Sequence, residues 1–265
     1  MDKPRQLLPD THTLPAHFPV PGAGFLPVNA FVIKAQEPVL IDTGMAIDSD
    51  GFIESLEAVI DPKDLRWIWL THDDADHTGN LQAVMNAAPN ARLVAYSLAV
   101  LRMSTAWPVP MDRVRWLNPG ESINAGDRNL TAIRPPLFDN PTTIGLFDDK
   151  TNAFFSADCF GAIIPRPVED IAELEEGEIA QGMLGWASLD TPWVHMVKPV
   201  DFQQALDRIR RLDAQHLFSG HLPPAAGMIE HFLQLLETVP ATVPSVAPNQ
   251  EALEQVLQGR RNAGD

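Results

Sequence analysis

The densest chemistry in the sequence is the run Thr71-His72-Asp73-Asp74-Ala75-Asp76-His77-Thr78-Gly79, which holds two imidazoles and three carboxylates within six residues. It directly follows the apolar segment 66–70, Arg-Trp-Ile-Trp-Leu. Carboxylates packed this closely repel one another unless a cation holds them. A metal site is the economical reading. The competing reading is a solvated acidic turn, since Asp side chains favour the positive end of a helix.

Four more apolar segments lead to a group able to bind a cation. Asp158 closes Phe154-Phe155-Ser156-Ala157, His221 follows Leu217-Phe218-Ser219-Gly220, Asp42 closes Val39-Leu40-Ile41, and Asp139 lies in Pro135-Pro136-Leu137-Phe138-Asp139-Asn140-Pro141. One such acid is ordinary. Four such places beside the first cluster point to one face of a sheet sandwich that collects ligands. For Asp139, a plain turn role before Asn140-Pro141 competes with this reading, because Asp is common in turns.

The elements that must carry these groups alternate in type. Residues 25–34 and 38–41 read as a strand pair ending in Asp42-Thr43-Gly44. Residues 49–60 read as a helix, with Phe52, Ile53, Leu56, Val59 and Ile60 at helical spacing and Ser49 as its cap. Segment 66–70 is a short buried strand, 71–78 a loop at its end, and 78–87 a helix. Strands are expected at 93–96, 114–117, 130–134, 143–147, 153–156 and 216–218, and helices at 201–212 and 225–238. Interleaved strands and helices make an α/β or α+β layered protein. Residues 1–24 read as an N-terminal loop segment, 25–239 as the folded domain, and 240–265 as a linker and short helical tail.

Composition narrows the partners. Of 265 residues, 45% are hydrophobic and 20% charged, which describes a globular chain. Nineteen Lys and Arg against 35 Asp and Glu leave a net charge of -16. Such a surface repels phosphate backbones and anionic bilayers, so neither nucleic acid nor membrane is an expected partner. The start MDKPRQLLPD lacks the apolar stretch of a signal peptide, and no run of about 18 apolar residues occurs, so a cytoplasmic protein is expected. The single cysteine, Cys159, excludes an internal disulfide or a Cys-only metal cluster, and reads as a small buried apolar residue. His195 reads as a core or interface residue. His12, His17, His216 and His231 read as structural, Trp67 and Trp69 as sheet packing, and the acidic run 169–178 as a solvated helix face.

The order LIDTG, THxxxDHTG, SADCFG, SGH resembles the metallo-β-lactamase fold superfamily over roughly residues 25–238. That superfamily usually carries HxHxDH, and here Asp74 stands in the place of the second His. A carboxylate there is the mark of the flavodiiron-type branch, whose version reads HxExDH, and FFSADCFG at 154–161 is similar to the block that follows in that branch. Nineteen residues before Asp158, where that pattern places a further His, stands Asp139. The chain thus departs twice, with Asp for Glu at 74 and Asp for His at 139.

The resemblance implies a four-layer αββα sandwich with a dinuclear site at one edge of its two sheets. It implies one metal held by His72, Asp74 and Asp139, a second held by Asp76, His77 and His221, and Asp158 bridging them. Asp42 would support a ligand through hydrogen bonds. Three His and four Asp are rich in hard oxygen donors, so two iron ions are the first expectation, with zinc or manganese as alternatives.

Two functions follow. The first is a di-iron protein that binds or reacts with O2 or NO. No segment reads as an attached flavodoxin or rubredoxin module, so electrons are expected from a partner protein. The second is a metal-dependent hydrolase of an ester, lactone, thioester or phosphoester, in which a metal-bound hydroxide attacks and Asp76 or Asp158 orients the water. Flavodiiron-type proteins pair head to tail, so the resemblance also implies a homodimer. The substrate stays open, because fold does not imply function.

Overall fold

Alternation along the strands decides which layer each residue faces. In the computed structural model, which describes residues 1–263, the chain builds two sheets. The first runs in the order β1 (Arg5–Leu8), β2 (Thr11–Val20), β3 (Gly24–Ile33), β4 (Val39–Ile41), β5 (Trp67–Trp69), β6 (Arg92–Ala95) and β7 (Val114–Trp116). The second contains β8 (Ser122–Asn124), β9 (Asn129–Ile133), β10 (Gly145–Asp148), β11 (Ala153–Phe155), β12 (His216–Phe218) and β13 (Ala225–Ala226), with β13 at one edge and β8 at the other.

Phe31, Ile33, Val39, Ile41, Trp69 and Val94 of the first sheet pack on Leu130, Ala132, Leu146, Phe155 and Phe218 of the second. Phe31, Phe155 and Phe218 meet with ring centroids 5.1–5.7 Å apart and tie the sheets together. The intervening residues point outward. Ala30, Val32, Leu40, Ile68 and Leu93 cover a cluster with α1 (Ser49–Val59), α3 (Leu81–Ala87) and α4 (Ser97–Met103), where α2 (Ala75–Thr78) precedes α3. Phe154 and Leu217 do the same with α5 (Glu176–Asp190), α6 (Pro199–Arg210) and α7 (Ile229–Thr238). The result is the expected helix–sheet–sheet–helix stack.

Strand direction then places the chemistry. β4 and β5 are parallel, as are β11 and β12. In open sheets with helices on the faces, ligands gather outside the carboxyl ends of parallel strands. Asp42 follows β4, His72 follows β5, Asp158 follows β11 and His221 follows β12, so all four emerge at such ends. The sheets are fastened together at this edge: Ile144 N–H donates to Thr71 O (2.7 Å), and the Asn29 amide donates to Ser219 O (3.0 Å) and Leu222 O (2.8 Å).

Three expectations are corrected. Residues 5–8 and 11–20 are strands rather than loop, and β2 pairs with β3 over its full length, from Thr11↔Ile33 to Val20↔Gly24. Pro15 and Pro19 argue against a central strand in the sequence. They are tolerated because β1 pairs only with Thr11–Thr13; beyond it Asp2 N–H donates to Pro15 O (2.9 Å), a bond that needs no proline N–H, and Pro19 lies past the end of β1. Next, the loop and helix expected over 71–87 is divided differently: Ala75–Thr78 already forms α2, and α3 starts only at Leu81. Lastly, the helix expected from 225 starts at Ile229, because Ala225–Ala226 pairs with β12. The tail carries α8 (Gln250–Ala263), and residues 264–265 of the expected tail lie outside the described residues. Among the described residues, no helix is long and apolar enough to cross a membrane.

One buried charge holds the far edge of the sandwich. Arg128, 3% exposed, donates to Asp148 Oδ2 (2.8 Å) on β10, to Asp127 Oδ1 (3.2 Å), and to Asp10 before β2. Removing one partner of a buried pair strands the other, at a cost of about 3–5 kcal/mol. Arg128→Met is therefore expected to lower the urea-unfolding free energy by about that much. A loss under about 1 kcal/mol would show that Asp148 finds other compensation.

Candidate metal centre

The turn after β11 is where the chain departs furthest from relaxed geometry. Ala157 (φ 54°) and Phe160 (φ 67°) lie in the left-handed region, which costs a residue with a side chain about 1–2 kcal/mol. This turn aims Asp158, 5% exposed, into the space between the sheets' ends. Ser156 Oγ donates to Cys159 O (2.8 Å) and Ser219 Oγ to Ala157 O (3.1 Å), which hold the turn from both sides.

Three imidazoles surround the Asp158 carboxylate. His77 Nε2 lies 3.0 Å from Oδ1, His221 Nε2 3.4 Å from Oδ1, and His72 Nε2 3.4 Å from Oδ2. All three rings are 1% exposed. Each ring is oriented through its other nitrogen. His77 Nδ1 is 2.9 Å from Asp42 Oδ2, and His221 Nδ1 donates to Pro27 O (2.7 Å). Thr71 Oγ1 donates to Asp42 Oδ2 (2.8 Å) and so accepts from His72 Nδ1 (3.0 Å). With every Nδ1 engaged outward, the Nε2 lone pairs converge. His72 Nε2, His77 Nε2 and Asp158 Oδ1 are buried with no hydrogen-bond partner among the described residues. Buried polar atoms are rarely left so, and a metal ion is the partner that a cluster of imidazole lone pairs and carboxylate oxygens fits.

The carboxylates of the motif divide between two sides. Asp76 Oδ2 is 3.3 Å from His221 Nε2 and 3.6 Å from His77 Nε2. Asp74 Oδ2 is 3.9 Å from His72 Nε2. Asp76, His77 and His221 offer ligand atoms within 4.8 Å of one another, as do His72, Asp74 and Asp139. All seven sequence-selected ligand positions are thus gathered in one place, Asp139 included, and Asp158 stands between the two groups. Asp42 makes no approach of its own to this space and acts on Thr71 and His77. Asp73 turns away, accepting from Arg102 Nε (2.9 Å) and Thr142 Oγ1 (2.7 Å).

Two close approaches make this packing possible. A Cβ on Gly79 would overlap the backbone of Gly44 and Ala46, which α2 must reach for Gly79 N–H to donate to Gly44 O (2.8 Å). A Cβ on Gly220 would lie 3.0 Å from His77 Cε1. Trp186, its ring centroid 5.0 Å from that of His221, walls the other flank.

Residues without a sequence signal complete the site. Asn140 donates to Asp74 Oδ1 (2.9 Å) and accepts from Arg102 (2.9 Å), locking the loop of Asp139 to the motif. Trp193 Nε1 donates to Phe138 O (2.8 Å) beside it. Asp190, the last residue of α5, offers an oxygen within 4.8 Å of ligand atoms on Asp139 and Asp158. Nothing in its sequence neighbourhood marks it. His195 stays outside, bonded to Ser188 Oγ (2.8 Å).

The charges are strongly coupled. Burial opposes charge on the imidazoles, but Asp158 outweighs it: His72 is raised, His77 lies well above the usual imidazole value with help from Asp42, and His221 is raised to about 9. Burial likewise opposes ionisation of Asp158, yet the three imidazoles hold it well below the carboxylate range. On the other side, burial lifts Asp139 to about 6, against the pull of His72 and with repulsion from Asp158. Burial, then the charges of Asp158 and Asp139, lift Asp190 to about 8. Protons therefore sit where two cations would otherwise supply the positive charge.

The metallo-beta-lactamase superfamily profile matches residues 23–221, which span the whole site. Over 137 residues, 51% of this chain and 32% of the relative, the sequence is 31% identical to a type A flavoprotein of Rhodobacter capsulatus. It is 28% identical over 134 residues to an anaerobic nitric oxide reductase flavorubredoxin of Vibrio vulnificus, covering 50% of this chain and 27% of that one. The chain thus spans about a quarter to a third of these curated relatives. Among solved structures, rubredoxin oxygen:oxidoreductase of Desulfovibrio gigas superposes with a TM-score of 0.78 at 16% identity, covering 92% of this chain and 63% of that one. Profile match, strand order and the two-sided cluster of His and Asp agree: the chain belongs to the metallo-beta-lactamase superfamily, and its resemblance is to the flavodiiron branch.

Proposed function

We propose that this is a dinuclear metalloprotein, loaded with two iron ions, that binds or reduces O2 or NO with electrons supplied by a redox partner. The observation that carries this reading is the donor set: three converging imidazoles and a majority of carboxylates arranged on two sides of Asp158. In this reading His72, Asp74 and Asp139 would hold one ion and Asp76, His77 and His221 the other, with Asp158 between them. Hard carboxylate oxygen with some imidazole suits iron or manganese better than the imidazole-rich sets that favour zinc. Two iron ions would supply electrons and open coordination positions to a diatomic ligand. The names of the nitric oxide reductase and oxygen oxidoreductase relatives support the same choice.

The chain's own residues do the rest. Asp42 and Thr71 fix the His77 and His72 tautomers, and Pro27 O fixes that of His221. Asn140 steadies Asp74, whose side chain is 41% exposed, so the site faces solvent on the Asp74 and Asp76 side.

Metal analysis after expression with iron and zinc both supplied tests the assignment. Two irons per chain are expected. Two zincs with turnover of a chromogenic ester would replace it with the hydrolase reading. Asp74→His and Asp139→His are each expected to move the preference toward zinc, and unchanged metal content would remove both residues from the ligand set.

Protonation gives an independent check. Metals that displace protons from these imidazoles release protons at pH 7, read as the buffer dependence of the binding enthalpy. The imidazole values are raised on folding, so the stability they confer on the metal-free protein is complete below the unfolded value of 6.5 and lost as pH rises through about 9. A metal-free melting temperature that rises over that window would contradict the charge arrangement.

A further inference from the structure

Asp190 stands in the wrong place for an ordinary acid. It ends α5, a 15-residue helix whose C-terminus carries partial negative charge and disfavours an anion. It is only partly exposed, no hydrogen bond to its carboxylate is seen among the described residues, and two other acids, Asp158 and Asp139, act on it against the weaker pull of His221 and His72. The helix holds it there firmly: Ile179, Met183 and Ala187 are buried beneath α5, and the Glu175–Glu178 capping box closes its start. Three separate electrostatic penalties on one side chain call for a compensating cation.

The space beside it supplies the second observation. Asp139, Asp158 and Asp190 offer three oxygens within 4.8 Å of one another, and Asp139 also belongs to the group with His72 and Asp74. His72 Nε2, on a deeply buried ring, lies 3.4 Å from Asp158 Oδ2 and within 4.8 Å of an Asp139 oxygen, and has no hydrogen-bond partner among the described residues.

We propose that Asp190 is a further metal ligand, completing the coordination of the ion held by His72, Asp74 and Asp139. This rests on the dinuclear reading above. The two ions then differ. One lies where two overlapping groups meet, His72–Asp74–Asp139 and Asp139–Asp158–Asp190, while the other lies among Asp76, His77 and His221, with Asp158 Oδ1 3.0–3.4 Å from the two imidazoles. The first has the richer carboxylate set and favours a hard, highly charged metal.

The test uses the full chain, stripped of metal and titrated anaerobically with ferrous iron against a competing chelator, as wild type, Asp190→Asn and Asp190→Glu. Wild type is expected to hold two irons. In Asp190→Asn one of the two is expected to bind about 10–100-fold more weakly, with the other unchanged, and Asp190→Glu to recover part of the loss. Thermal melts of the metal-free proteins separate a ligand from a structural residue: Asp190→Asn is expected to melt at or near wild type, since the amide stands in for the neutral carboxyl that burial favours there. If wild type holds two irons and Asp190→Asn binds both as tightly, the role of Asp190 is overturned and the dinuclear reading stands. A metal-free Asp190→Asn that melts well below wild type would make the residue structural. Fewer than two irons in wild type would overturn the dinuclear reading, and this inference with it.

Discussion

A carboxylate buried among three imidazoles sets the terms for this structure. Asp158 comes from the second sheet, as does His221, whereas His72 and His77 come from the first. Their contacts of 3.0–3.4 Å can form only if the carboxyl ends of both sheets meet at one edge. Burying a charge so completely is costly without close compensation. The surrounding chain accepts further costs to achieve it: left-handed backbone at Ala157 and Phe160, a second buried carboxylate at Asp42, and glycines at 79 and 220 where a side chain would collide. Costs concentrated at one place, in a sandwich otherwise packed by alternating apolar residues, are the pattern expected where function rather than stability fixes the geometry.

The ring orientations decide what the cluster can do. Asp42 serves His77 directly and His72 through Thr71, so one carboxylate fixes two imidazoles, while the third relies on a backbone carbonyl. Each ring presents Nε2 to a shared centre. Asp74 and Asp139 make none of these ring-orienting bonds, so on the proposed reading a carboxylate in place of imidazole there would change the hardness and charge of the donor set. One superfamily scaffold can thus be retuned between metals by a few side chains at strand ends, while the reaction is set by loops around them.

Much of this was legible in the sequence, and for a physical reason. Strand-end residues leave the ladder at predictable points, so Asp42, His72, Asp158 and His221 could be read from the apolar runs before them. Helical spacing in 49–60 anticipated α1, whose observed bounds are Ser49–Val59. β1 and β2 were hidden by Pro15 and Pro19, because the sequence does not reveal that β1 is too short to need their missing N–H groups. The early start of α2 was obscured by the acidic run itself, which reads equally well as a loop. Asp190 and Asn140 carry no local signal at all. Each becomes part of the site only through tertiary placement, one at the end of a helix from the opposite layer, the other in a proline-bounded loop pinned by Arg102.

Anomalous diffraction at the iron edge from crystals of the anaerobically iron-loaded protein tests the central claim most directly. Two peaks a few ångström apart are expected, one among His72, Asp74 and Asp139, the other among Asp76, His77 and His221, with Asp158 between them. A single peak, or iron bound elsewhere with these Nε2 atoms uncoordinated, would contradict the account.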